Sequence, residues 1–183
     1  LAERLGWKTI LVVNLRDGLL TGKTPEAAAE HAAALLAYYT GRSDALPETF
    51  RCWPALRAAN GHPEPYPVEY AQIGNETWLW TGEMKKRFGD GWVEIWADRI
   101  EMYVTALRRV APGVKIIIDG YPLEIAAELS RRKTKADLFA LHRYYPMGIK
   151  GLYSPGGGIL APAAVNARQG WDTVVHSTET DST

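Results

Sequence analysis

The sequence contains a single cysteine, no excess of charge and no long apolar run, and each absence excludes a class of protein. Cys52 is the only cysteine among 183 residues, so the chain has no internal disulfide framework. Cys-x-x-Cys pairs and His/Cys clusters with metal-ligand spacing are absent, which argues against a structural zinc site. Lysine plus arginine total 21, as do aspartate plus glutamate, so nothing indicates binding to nucleic acid or an anionic membrane. No apolar run approaches the roughly 20 residues that span a bilayer.

What remains is the composition of an ordinary globular protein, with 46% hydrophobic and 23% charged residues. The first residue is Leu1 rather than methionine, and residues 9–15 already have the pattern of a core strand. We therefore expect residues 1–183 to be one partial domain, truncated at both ends, with any signal peptide or first domain upstream. The compartment, cytoplasmic or secreted, is left open by the sequence.

Strand-like and helix-like segments alternate, which predicts an α/β fold with a parallel sheet. Strands are predicted at 9–14, 68–75, 114–118, 136–141 and 173–177. Helices are predicted at 27–39, 92–110 and 123–132, with a weak one near 163–168. The first strand is continuously apolar, as in a strand that is buried on both faces. Residues 46–67 carry five prolines and are predicted to form a long ordered loop.

Polar residues follow the carboxyl ends of all five predicted strands. They are Asn14, then Asn75 with Glu76, then Asp119, then His142 with Tyr144, and finally Glu179. In a (β/α)8 barrel the carboxyl ends of the strands converge on one mouth, where catalytic groups lie. The fold prediction is therefore a partial (β/α)8 TIM barrel with about five βα units, so roughly three strands of the barrel are missing from this chain.

The second of these strand ends carries the most chemical information. Asn75 and Glu76 stand side by side after Gly74, and Trp78 and Trp80 follow. A carboxyl group can give a proton to a glycosidic oxygen, an amide can hold a sugar hydroxyl, and an indole can cover the apolar face of a sugar ring. This combination favours a site that cleaves or binds carbohydrate, and we expect one of the two tryptophans to contact sugar.

Two segments resemble the α-L-arabinofuranosidases of glycoside hydrolase family 51. His62-Pro63-Glu64-Pro65-Tyr66 leads into the strand that ends in Gly74-Asn75-Glu76, as in that family, and a later strand ends in His142-Arg143-Tyr144-Tyr145. The segment from Val12 to Leu15, followed by Thr24-Pro25-Glu26, is also similar to the family's third strand and helix. The resemblance implies a retaining hydrolase on a TIM barrel, of which this chain would supply strands 3 to 7.

The resemblance also implies roles for individual residues. Glu76 takes the acid/base role and Asn75 a sugar-binding role, while His142 and Tyr144 lie in the same pocket and Tyr144 orients the nucleophile. Glu179 is the candidate nucleophile, although it stands in Thr-Glu-Thr-Asp where the family more often has Asp-Glu-Trp-Asn. Trp78 joins the substrate-binding set as a sugar platform. The reaction requires neither a metal nor an organic cofactor.

Other interpretations stay open at this point. Glu76 could be a surface carboxylate that caps the next helix. Among enzymes, another clan A glycosidase, such as a β-xylosidase or an endoglucanase, fits the same motifs. A carbohydrate-binding barrel that lost the reaction is a different class of answer, and a fragment that is inactive alone is a third. The expected partner is a carbohydrate substrate, and assembly of the intact enzyme into a homo-oligomer is also left open.

Overall fold

The structure is a computed structural model that describes residues 2–119, 122–142 and 172–176, with backbone alone for 141–142 and 172–176. Its centre is a five-stranded sheet in which the spatial order of the strands is their order in the chain, β1-β2-β3-β4-β5. Every neighbouring pair is parallel. The strands are β1 (Thr9–Val13), β2 (Val68–Ile73), β3 (Lys115–Asp119), β4 (Leu138–His142) and β5 (Asp172–His176).

Helices connect these strands, as the alternation in the sequence predicts. Within the described residues they are α1 (Arg16–Leu19), α2 (Pro25–Thr40), α3 (Cys52–Ala59), α4 (Thr81–Phe88), α5 (Trp92–Val110) and α6 (Leu123–Arg131). Short 3-10 turns lie at Glu3–Leu5, Glu48–Phe50, Thr77–Trp80 and Gly89–Gly91. No helix in the described part of the chain is long and apolar enough to cross a membrane.

Helices α2 and α5 show why these segments are helical. The Thr24 hydroxyl accepts a hydrogen bond from the Ala27 amide at 3.2 Å and caps α2, and Pro25 occupies the first turn, where its missing N–H is not needed. On α5, apolar residues at spacings of three and four form one face that is buried against the sheet and α2. Each large side chain on that face contributes about 1.5–3 kcal/mol by leaving water. Those residues are Trp92, Trp96, Ile100, Tyr103, Leu107 and Val110.

The two faces of the sheet have different surroundings. One face packs with buried residues of α1, α2, α4, α5 and α6 in a single core cluster. The strand residues in that cluster are Val13, Ala71, Ile73, Ile116, Ile118 and Phe139. Val12, Gln72 and Ile117, which are in register across three strands, alternate with them and belong to the second face. The chain is therefore an α/β protein with a parallel sheet, and its strand order is compatible with part of a (β/α)8 barrel.

The first strand is not buried on both faces, so that expectation is wrong. On β1 the side chains of Ile10 and Val12 are 37% and 46% exposed. The physical reason is position, because β1 lies at the edge of the described sheet and is paired with a neighbouring strand on one side only.

The expected loop at 46–67 is also wrong, since α3 and a 3-10 turn lie within it. The segment is folded around Arg57, which is only 2% exposed. Its guanidinium donates to four backbone carbonyls at 2.8–3.1 Å, which uses four of its five N–H donors. The acceptors are Tyr38, Gly41, His62 and Pro63. Helix α4 was not predicted either, and the weak helix near 163–168 lies outside the described residues.

Candidate functional site

The turn that follows β2 carries the candidate acid. Gly74 has φ of +79°, and Glu76 has φ of +51°, in the left-handed region that a glutamate rarely adopts. A 3-10 turn at Thr77–Trp80 follows immediately. The reversal leaves Asn75 exposed and Glu76 half-buried at the carboxyl edge of the sheet. A non-glycine residue in this conformation costs free energy, so the surrounding contacts must hold it there.

Contacts from the neighbouring strands hold the backbone on the β2 side of this turn. The Gly74 amide donates to the Val13 carbonyl of β1 at 3.0 Å and so extends the parallel pairing by one step. The side-chain amide of Gln72, which is 2% exposed, donates to the Gly74 carbonyl at 2.9 Å. The backbone of Gly74, which directly precedes Asn75 and Glu76, is therefore held in place at the end of the strand.

A second tie comes from β3. The Thr77 amide donates to the Asp119 carboxyl group at 2.6 Å, across 42 positions of sequence. Thr77 is fully buried and Asp119 is 4% exposed. Asp119 is the last residue of β3, and the pairing of β2 with β3 places it beside the end of β2. The sequence predicts it as a polar residue after a strand end; the structure places it at the carboxyl edge of the sheet, buried, with a contact to the turn that bears Glu76.

Apolar and aromatic residues follow Glu76 in the 3-10 turn. Trp78 is 40% exposed and Leu79 is 57% exposed, whereas Trp80 is half-buried and packs against the core. The Leu79 amide donates to the Glu76 carbonyl at 3.1 Å and closes the 3-10 turn. Of the two tryptophans, Trp78 therefore has the larger free surface beside the candidate acid.

The end of β1 is tied down by a different set of contacts. The Asn14 side chain accepts from the Asp17 amide at 3.3 Å, while its backbone carbonyl accepts from the Tyr103 hydroxyl of α5 at 2.8 Å. Burial raises the pKa of Tyr103 to about 12, with a further contribution from the nearby Asp17. A hydrogen bond from Lys23, at 3.2 Å, lowers the pKa of Asp17. Lys23 also lies 3.0 Å from His31 Nδ1, a pairing that the sequence analysis missed because the two residues belong to different segments.

The remaining predicted site residues are placed only in part. His142 is the last residue of β4, two positions beyond the residue that pairs with Asp119, and its side chain is not described. Tyr144 and Glu179 lie outside the described residues. Strand β5, which precedes Glu179, ends at His176. The structure thus brings Asn75, Glu76 and Trp78 to the carboxyl edge of the sheet, and their roles stay predictions.

Among the described residues, no three His, Cys, Asp or Glu side chains are grouped so that they could hold a metal ion.

Comparison with known proteins identifies the family. Residues 1–148 match the family described as the alpha-L-arabinofuranosidase 1 domain, and these residues include β1 to β4 and the turn with Glu76. The chain belongs to this family. Over 119 residues it is also 29% identical to alpha-L-arabinofuranosidase C of Emericella nidulans (strain FGSC A4), a match that covers 64% of this chain. The matched stretch is 19% of the length of that relative.

Proposed function

We propose that this chain is part of the catalytic barrel of a retaining glycoside hydrolase. The activity is that of an α-L-arabinofuranosidase, acting on arabinose-containing plant polysaccharides or oligosaccharides. The observation that carries the proposal is a half-buried Glu76 just after an inner parallel strand, two residues before the exposed Trp78, in a chain of the alpha-L-arabinofuranosidase 1 domain family. The name of the relative, alpha-L-arabinofuranosidase C, supports arabinose as the sugar that is released.

The arrangement of the helices supports the barrel part of the proposal. Buried residues of five helices pack on one face of the sheet, and the strands follow one another in chain order. In a doubly wound sheet the helices cover both faces and the strand order reverses at a switch point, where ligands bind. In a (β/α)8 barrel the helices cover the outer face alone and the site lies at the carboxyl ends of the strands. Glu76 lies at that end.

The chemistry follows as a double displacement. Glu76 gives its proton to the glycosidic oxygen while the Glu179 carboxylate attacks the anomeric carbon, so the glycosidic bond breaks, a glycosyl ester forms and the alcohol leaves. Glu76, now ionised, takes a proton from water, and the water oxygen attacks the anomeric carbon and releases Glu179. Asn75 and His142 hold sugar hydroxyls, Tyr144 orients Glu179, and Trp78 covers the apolar face of the sugar.

The test compares two glutamate-to-alanine variants on one strand in the full-length protein. Glu76→Ala should slow hydrolysis of an unactivated arabino-oligosaccharide by about 100-fold or more. It should lower kcat/KM for 4-nitrophenyl α-L-arabinofuranoside far less, because kcat/KM reports the first step, in which nitrophenolate leaves without a proton. Glu69→Ala is the control: Glu69 lies near the opposite end of β2 in an exposed pair with Lys8, at 3.0 Å, so both rates should change by less than about twofold.

Each alternative predicts a different result. Equal loss on both substrates would remove the acid role from Glu76. Release of xylose or glucose in place of arabinose would indicate another clan A glycosidase. Binding of oligosaccharide without hydrolysis by the wild type would indicate a carbohydrate-binding barrel. Proton NMR of the first product formed should show the anomeric configuration of the substrate, and inversion would contradict double displacement.

A further inference from the structure

The conformation of Glu76 requires a restraint that Glu76 itself does not provide. Its φ of +51° is unfavourable for a residue with a Cβ, and no hydrogen bond from its side chain caps the 3-10 turn that it begins. If the turn relaxed, the Cα–Cβ bond of Glu76 would rotate, and the carboxyl group would move by ångströms relative to a substrate. Contacts of Gly74 hold the backbone before Glu76, so the remaining restraint has to act on the residue that follows.

Thr77 is held from two directions. Its amide is bound by the Asp119 carboxyl group at 2.6 Å, and both residues are buried, so water does not compete for the donor. On the other side, the Thr77 methyl group lies so close to Gly74 that a Cβ on Gly74 would come within 2.5 Å of it. The peptide that joins Glu76 to Thr77 is thus fixed between the end of β3 and the end of β2.

We infer that Asp119 is a positioning residue for Glu76: it holds the Thr77 amide, keeps Glu76 in its left-handed conformation and so aims the acid at the leaving oxygen. This inference rests on the proposed function. Asp119 does not touch the reacting atoms in this scheme. Its effect is transmitted through one peptide group, so it should act on the acid step and not on sugar binding.

The experiment measures leaving-group selectivity in the full-length protein. Asp119→Ala removes the acceptor, and it should lower kcat/KM on the unactivated oligosaccharide by about 10- to 100-fold, the loss expected when a reacting group is misplaced by about 1 Å. It should lower kcat/KM on the nitrophenyl substrate by less than about threefold, because kcat/KM reports the first step, in which nitrophenolate leaves without a proton. Asp119→Asn keeps an oxygen acceptor in place and should recover most of the lost selectivity.

A matched control separates positioning from stability. Ile118→Val removes one methylene from the adjacent, fully buried residue of β3, whose side chain belongs to the core cluster on the helix face of the sheet. It should lower the unfolding temperature and leave the ratio of the two rates unchanged. If Asp119→Ala does not fold, Asp119→Ser, which shortens the acceptor, takes its place with the same expectation.

Three results would overturn the inference. Equal loss on both substrates would reduce Asp119 to a structural role, as would Asp119→Asn behaving like Asp119→Ala. A shift in the ratio with Ile118→Val would attribute the effect to destabilisation. These results leave the proposed function intact, since the wild type would still release arabinose. A wild type that hydrolyses neither substrate would instead remove the proposed function, and the positioning role with it.

Discussion

Replacing Gly74 by alanine tests whether the turn before Glu76 is packed as closely as the structure indicates. The residue has φ of +79°, so an added Cβ costs about 1–2 kcal/mol in the backbone alone. The Cβ would also lie 2.5 Å from the Thr77 methyl group and 3.3 Å from Leu15 Cβ. Thr77 and Leu15 are buried and cannot move freely, so overpacking adds about 1–3 kcal/mol. We expect a total loss of about 2–5 kcal/mol in the free energy of unfolding.

The chain offers a control that isolates the two contributions. Gly61 has φ of +89°, and a Cβ added there would meet no atom within 4 Å. Gly61→Ala should therefore show the backbone cost of about 1–2 kcal/mol and nothing more. The difference between the two variants measures the contact with Thr77 and Leu15.

The assay is urea unfolding of the full-length protein, followed by tryptophan fluorescence. Combining Gly74→Ala with Thr77→Ser removes the methyl group that lies closest to the new Cβ, so the double variant should recover most of the overpacking cost. Equal losses for Gly74→Ala and Gly61→Ala, with no recovery in the double variant, would refute the reasoning. The turn would then be loosely packed, and close packing could not be what holds Glu76 in its left-handed conformation.

Two further predictions concern elements away from the site. Arg57→Met fills similar space but leaves four buried or half-buried carbonyls without their donor, so the free energy of unfolding should fall by at least about 3 kcal/mol in the same urea assay; a loss below about 1 kcal/mol would contradict the donor count. Hydrogen bonds from Arg131 and Arg132 lower the pKa of Glu128 to about 2. A carboxyl group whose pKa is lower in the folded state stabilises the protein above its unfolded pKa, near about 4.3, and loses that contribution as the pH falls towards 2. Between about pH 6 and pH 3, the free energy of unfolding should therefore fall more for the wild type than for Glu128→Gln. Parallel pH profiles of the two proteins would contradict the assignment.

Hydrophobic periodicity predicts the elements that carry a complete pattern. Helix α5 begins and ends where its apolar stripe does, at Trp92 and Val110. The sequence predicts a loop in place of helix α3 because the five prolines of residues 46–67 are typical of loops. Pro54 lies in the first turn of α3, where a helix needs no N–H from the residue, so this proline is compatible with the helix. A count of prolines cannot distinguish a first-turn position from a loop position.

The sequence predicts the part of the candidate site that consists of consecutive residues, but not the contacts between residues far apart in the chain. The Gly-Asn-Glu ending of β2 is a local pattern, and the structure places it at the carboxyl edge of the sheet. The contact from Thr77 to Asp119 depends on how β2 and β3 are aligned, because the partners are 42 positions apart and belong to different strands. Asp119 alone carries no sign of that partner in the sequence. Strand register, which no local pattern encodes, decides which polar residue lies beside Glu76.

The exposed residues of β1 connect the error about burial to the proposed barrel. The continuously apolar sequence of β1 predicts that both of its faces are buried. In the middle of the sheet the second face is buried, since Ile117 of β3 and Ala140 of β4 are 1% and 0% exposed and lie outside the main core cluster. On the same face, Ile10 and Val12 of the edge strand are exposed. The exposed fraction of side chains on this face therefore increases from the middle of the sheet to its β1 edge. In a barrel the second face is the interior, which is filled by side chains from strands on all sides. An apolar β1 that is exposed on its second face fits such an interior, since β1 is paired on one side only among the described strands.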